Sequence, residues 1–143
     1  MIDDDELIAG SLRRYLVERD CEVDLATEPQ AAEALMAQRV YDTVMVDPYL
    51  TAGAQPNRLS LLTTVRELQP RADVIVVTAY GTEAIASAVS GGTVSALLLK
   101  PRAVAELGRA AMSGTAKQTH PTRRNSGARP AYTKSPPRKG SAE

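Results

Sequence analysis

Three short apolar runs in this chain each stop at a chemically distinctive residue. Residues 43–46 (TVMV) stop at Asp47, residues 74–78 (VIVVT) end on Thr78, and residues 96–99 (ALLL) stop at Lys100-Pro101. Runs of four or five β-branched and aliphatic residues are too short for buried helices and suit strands covered on both faces. The segments around them carry helical spacing. Residues 6–19 place Leu7, Leu12, Tyr15 and Leu16 near one face, and residues 21–26 (CEVDLA) alternate as a half-buried strand does. Thr27 is placed to cap a second helix, with Pro29 in its first turn and Ala31, Ala32 and Leu35 inward. Residues 48–57 read as a loop, 58–68 as a helix closed by Pro70, 82–90 as a short helix between glycines, and 103–112 as a last helix.

Strands alternating with helices predict an α/β fold, a parallel sheet with helices on both faces. In such sheets ligands bind at the carboxyl ends of the strands. Asp47, Thr78 and Lys100 each occupy that position. The aspartates 3–5 follow what remains of a first strand, of which only Met1 and Ile2 are present. The pattern therefore gathers carboxylates, a hydroxyl and an ammonium on one edge.

Composition limits the alternatives. With no Trp and no Phe, the core must be aliphatic, and the single Cys21 forbids an internal disulfide. Cys21 reads as a small buried hydrophobe. No apolar run approaches the ~18 residues of a membrane span. The opening Met-Ile-Asp-Asp-Asp is the reverse of a secretory leader, so a cytoplasmic protein without membrane contact is expected. The net charge of zero hides an asymmetry. Residues 1–114 hold ten Lys/Arg against sixteen Asp/Glu, a balance of −6, and residues 115–143 hold seven against one, a balance of +6. Residues 1–112 are expected to form one domain. Residues 113–143, rich in Gly, Ser, Pro and basic residues, are expected to be a disordered basic tail. The one histidine, His120, falls in that tail, outside any helical pattern.

Carboxylates brought together make chemical sense when a divalent cation joins them, and hard oxygen ligands suit Mg²⁺. Phosphoryl transfer needs charge neutralisation and an in-line nucleophile, with little else from the protein. An aspartate can be that nucleophile, giving an acyl phosphate, while a Lys and a Thr hydroxyl hold phosphoryl oxygens. Each residue also has a plainer reading: the aspartates as caps of the first helix, with Asp5 the best placed to cap; Thr78 as a β-branched strand residue; Lys100 as a solvated surface lysine.

Ile2-Asp3-Asp4-Asp5-Glu6, Val44-Met45-Val46-Asp47, Val77-Thr78-Ala79 and Leu99-Lys100-Pro101 together resemble the signature segments of response-regulator receiver domains. They occur in the family's order, with 43 residues from Asp4 to Asp47, 31 to Thr78 and 22 to Lys100. The resemblance covers residues 1 to about 112. Thr78-Ala79-Tyr80-Gly81 and the Ala-rich helix after it are similar to redox- and photosynthesis-type regulators in particular.

The resemblance implies a chemotaxis-regulator-like, flavodoxin-like doubly wound parallel sheet of order 2-1-3-4-5, here with a truncated first strand. It implies that Asp47 is the phosphoacceptor, served by a sensor histidine kinase or phosphotransfer protein. It also implies Mg²⁺ on Asp3, Asp4, Asp47 and the backbone carbonyl of Tyr49. Thr78 and Lys100 would contact the phosphoryl group, and the Lys100-Pro101 bond would be cis. Such a module is a signalling device rather than an enzyme, acts on a downstream protein, and can pair as a homodimer. Two other functions follow from the same residues: a degenerate receiver that binds partners without phosphate, and a transcriptional regulator touching nucleic acid weakly through the basic tail. Four departures from the family are visible. The first strand is nearly missing, Leu97 stands where an aromatic is frequent, the loop after Asp47 is about three residues longer, and no helix-turn-helix output pattern follows.

Overall fold

A computed structural model describes residues 1–50 and 59–117. Helices α1 (Glu6–Val17), α2 (Pro29–Gln38), α3 (Ser60–Leu68), α4 (Glu83–Ser90) and α5 (Val104–Lys117) alternate with strands β1 (Thr43–Val46), β2 (Asp73–Thr78) and β3 (Ala96–Leu99). The strands are parallel in the order β1-β2-β3, with Val46 opposite Val76 and Thr78 opposite Leu99. The expected loop over 51–57 and the expected tail from 118 onward lie outside the described residues. Residues 113–117, expected to belong to that tail, instead continue α5.

The period-two alternation of the strands divides the core between two faces. Val44, Val46, Val74 and Val76 meet Ala32 and Met36 of α2, Leu61, Leu62 and Val65 of α3 and Ile85 of α4. Met45, Ile75 and Val77 meet Leu12 and Leu16 of α1 and Leu107 and Ala111 of α5. Aliphatic strand residues thus serve both layers, as a two-sided parallel sheet requires. Helix α5 lies close against α1, and a Cβ at Gly108 would overlap the Tyr15 ring.

The first strand survives as one residue. Ile2 forms parallel bridges to Ala26 on one side and Val46 on the other. Its N–H donates to the Met45 carbonyl at 2.8 Å, and its carbonyl accepts from Asp47 N–H at 2.9 Å. The order is therefore Ala26, Ile2, β1, β2, β3, the doubly wound order with its first two members reduced to bridges. Buried Ile2 fills the centre, and its carbonyl holds the amide of Asp47, so Asp3 and Asp47 leave adjacent tracks at one level.

Three local expectations are corrected. Residues 21–26 form no strand, because only Asp24 and Ala26 bond to the backbone of the first-strand residues, at Met1 and Asp3, while the Cys21 amide turns back to the Leu16 carbonyl of α1. Residues 21–23 instead line a groove of about 570 Å³ with Tyr41, Thr43 and Met45, and Cys21 is half-buried. Glu28, not Thr27, is the N-cap of α2, because Pro29 occupies the first helical position and holds the residue before it extended, at ψ 149°. Leu7 and Ala31 face solvent; Ala9 and Met36 take the inward positions.

A buried amide joins the end of α3 to the connection between α2 and β1, at the far end of the sheet. Gln69 Nε2 donates to the carbonyls of Met36 and Arg39 at 2.9 and 2.7 Å, and Oε1 accepts from Tyr41 N–H at 2.9 Å. Gln69→Leu keeps the volume but strands these backbone groups, and is expected to cost about 3 kcal/mol. Urea unfolding should show a lower midpoint with an unchanged slope; an unaltered midpoint would remove the bridging role.

Candidate functional site

Strand ends set the positions of the polar side chains. Asp3 follows Ile2, Asp47 follows β1, Thr78 closes β2 and Lys100 follows β3. All four lie on the carboxyl-end edge of the sheet, and the parallel register holds them level. Lys100 N–H donates to the Thr78 carbonyl at 2.8 Å, continuing the β2–β3 ladder by one more step. The Lys100-Pro101 bond is cis, as the Lys-Pro resemblance implied.

At the centre, the Lys100 ammonium bridges two carboxylates, with Nζ 2.8 Å from Asp3 Oδ2 and 3.1 Å from Asp47 Oδ2. The Asp3 side chain is fully buried and that of Asp47 is 9% exposed, so water screens little of the attraction. The other oxygen of each carboxylate is held by a backbone amide two residues on. Asp3 Oδ1 accepts from Asp5 N–H and Asp47 Oδ1 from Tyr49 N–H, both at 2.9 Å. Asp5 caps α1, its Oδ1 accepting from Ile8 N–H at 3.2 Å. The acidic run thus divides its work between capping and the site.

Burial raises the Asp3 pKa above the ordinary carboxylate value, against the pull of Lys100, and the neighbouring Asp47 charge adds to the rise. For Lys100, burial works against its charge, but hydrogen bonds to Asp3 and Asp47 outweigh it and hold the ammonium above the usual lysine value. Thr78 is completely buried, and its Oγ1 accepts from Tyr80 N–H at 3.2 Å.

The structure therefore gathers Asp3, Asp47 and Lys100 into direct contact and sets Thr78 on the same edge. Asp4, half-buried, follows Asp3 in the loop to α1. Among the described residues no three His, Cys, Asp or Glu side chains are arranged as a ready cage for a metal. The expected set is thus represented by the close pair Asp3 and Asp47, with Asp4 adjacent in sequence. Residue reasoning missed the Lys100–Asp3 contact, the Tyr49 amide on Asp47, and the meeting of the Tyr49 and Tyr80 rings. The signal for the amides was present, because Asp and Thr at a strand end readily accept from the amide two residues on.

Residues 1–112 match the family model described as the response regulator receiver domain. The chain belongs to the receiver-domain family. It is 31% identical over 90 residues to the photosynthetic apparatus regulatory protein RegA of Rhodobacter capsulatus, covering 63% of this chain and 46% of that protein. It is 33% identical over 96 residues to RegA of Rhodovulum sulfidophilum, covering 67% and 50%. The chain spans about half the length of these curated relatives. A response regulator protein from Burkholderia pseudomallei superposes with a TM-score of 0.67 at 30% identity, over 82% of this chain and 68% of that one. That structure carries a phosphorylated aspartic acid, a calcium ion and citrate. As a receiver domain, the chain is a module of two-component signalling. Among the described residues, no helix is long and apolar enough to cross a membrane.

The receiver's alkaline limit follows from two groups. Lys100 titrates above its ordinary value, and Tyr41, partly buried and bonded through its hydroxyl to Asp24 Oδ2 at 2.7 Å, is pushed up to about 12. Both bind protons more tightly folded than unfolded, so their stabilisation is complete at neutral pH. It fades as pH climbs from about 10 towards 12. Chemical denaturation across that range should show a falling midpoint, less steep in Tyr41→Phe; a pH-independent midpoint would contradict both assignments.

Proposed function

We propose that this receiver takes a phosphoryl group on Asp47 from the phosphohistidine of a sensor kinase or a phosphotransfer protein. The observation that carries the reading is the largely enclosed Lys100 ammonium, its side chain 14% exposed, shared between Asp3 and Asp47. A lysine serving only as surface charge has no reason to reach across from β3 to two carboxylates at neighbouring strand ends.

In the reaction, a carboxylate oxygen of Asp47 forms the new O–P bond while the donor's N–P bond breaks, and the departing imidazole nitrogen takes a proton from solvent. The Tyr49 amide and Lys100 orient the attacking carboxylate. Lys100 then neutralises phosphoryl oxygen charge, and the Thr78 hydroxyl turns to donate to it.

The hard oxygens at the site fit a divalent cation. A buried Asp3 with a raised pKa, sharing one ammonium with Asp47, is an anionic pocket short of positive charge. Asp3, Asp4, Asp47 and the Tyr49 carbonyl would hold Mg²⁺, which supplies charge neutralisation for the transferring group. The product is a two-state signal, read by a downstream protein or a second copy of the receiver through surface contact.

A second reading has its own support. With Ile2 alone representing the central strand, the site stands on fewer ladder bonds than the rest of the sheet, as in a receiver that keeps the fold but takes no phosphate. Acetyl phosphate with Mg²⁺ separates the two. Intact-mass measurement should find one added phosphoryl group, and none in Asp47→Asn. Label persisting in Asp47→Asn would move the site elsewhere. An unlabelled native chain, with no thermal shift from Mg²⁺ and beryllofluoride, would establish the degenerate reading.

A further inference from the structure

The segments Asp47-Pro48-Tyr49 and Thr78-Ala79-Tyr80 build the same device at the ends of neighbouring strands. In each, a site side chain accepts from the backbone amide of a tyrosine two residues on: Asp47 Oδ1 from Tyr49 N–H at 2.9 Å, and Thr78 Oγ1 from Tyr80 N–H at 3.2 Å. The two tyrosine rings then meet, with centroids 5.4 Å apart and planes inclined by 52°. That is an attractive geometry for an aromatic pair. A continuous path results, running from the Asp47 carboxylate through one amide, two rings and a second amide to the Thr78 hydroxyl. Tyr49 packs against the core, whereas Tyr80 is 64% exposed, so the ring contact ties an exposed loop to a seated one.

We infer that the Tyr49–Tyr80 ring pair is a latch that holds the Thr78 hydroxyl in its resting position. The inference rests on the phosphoacceptor reading of Asp47. To donate to a phosphoryl group on Asp47, the Thr78 side chain must leave the Tyr80 amide. The Tyr80 segment then has to rearrange, and its ring contact with Tyr49 resists that. Both tyrosines are positioning residues, acting through Asp47 and Thr78. Position 97, on the strand beside Thr78, carries Leu97 packed into the core, so the aromatic coupling here lies across the two loops instead.

A contact made only in the resting state lowers apparent affinity for anything that needs the other state. Removing it should therefore tighten binding of a phosphoryl mimic. The full chain is titrated with beryllofluoride at saturating Mg²⁺ and followed by the amide resonance of residue 80. Tyr80→Ala is expected to reach half-saturation at about five-fold lower beryllofluoride than the native chain. Tyr80→Phe, which keeps the ring, should match the native midpoint. Tyr49→Ala combined with Tyr80→Ala should gain no more than Tyr80→Ala alone, because one contact is being removed. Since Tyr80 is largely exposed, Tyr80→Ala should melt close to the native chain, which separates a latch from a folding defect. A native midpoint in Tyr80→Ala, or additive gains in the double variant, overturns the latch while leaving the phosphoacceptor reading intact. A native chain that does not respond to beryllofluoride at all overturns that reading and the latch with it.

Discussion

The ammonium of Lys100, shared between Asp3 and Asp47, is the interaction on which the rest of the edge depends. Two carboxylates buried side by side repel, and each would favour protonation or water. One cation between them makes the pair tolerable, provided it is delivered at hydrogen-bonding distance to both. Delivery requires three chain segments, far apart in sequence, to end at one level. The parallel ladder achieves this through backbone bonds alone: Ile2 to Met45 and Asp47, β1 to β2, β2 to β3, and the Lys100 amide to the Thr78 carbonyl. The side-chain chemistry is thus a consequence of register. A slip of one residue in β3 would turn Lys100 to the opposite face of the sheet.

The economy of the first strand sharpens this dependence. Its whole contribution is made by Met1, Ile2 and Asp3, with four backbone bonds among Met1–Asp3, Ala26, Met45 and Asp47. Those bonds lie nearest the site. What the sheet loses is at the opposite end, where a groove separates residues 21–23 from the start of β1. There Gln69 and the Tyr41–Asp24–Arg39 contacts tie the end of α2 to its neighbouring segments. Side chains with directed polar groups thus do at one end what the ladder does at the other.

Much of this architecture was legible in the residues, and for physical reasons. The runs at 43–46 and 96–99 match their strands because buried parallel strands need unbroken aliphatic sequence, a signal few other elements give. The run at 74–78 begins one residue earlier, at Asp73. The gathering of Asp3, Asp47 and Lys100 followed from strand polarity. Other features were hidden. The alternation in 21–26 is a true strand pattern, but a strand also needs a partner, which composition does not report. Thr27 is a good cap by type and was displaced by the stronger constraint of Pro29. Periodic apolar residues stop near 112 and the composition turns to Gly, Ser, Thr and basic residues, yet α5 continues to Lys117. The ring pair could not be seen, since it depends on how two loops fold over the sheet edge.

Charge decides what such an edge can accept. Asp3 and Asp47 share a single ammonium at close range, so the site is already negative. Converting the Asp47 carboxylate to an acyl phosphate exchanges one negative charge for nearly two. Without further positive charge that product would be more poorly compensated than the starting state, in surroundings where water screens weakly. On the proposed reading, the remaining carboxylates would hold a divalent cation that supplies the missing positive charge, and Lys100 would be able to turn from Asp3 to the new oxygens. The buried ammonium and the implied cation therefore do different work. The first makes the carboxylate pair stable enough to fold around, and the second would make the phosphorylated state reachable.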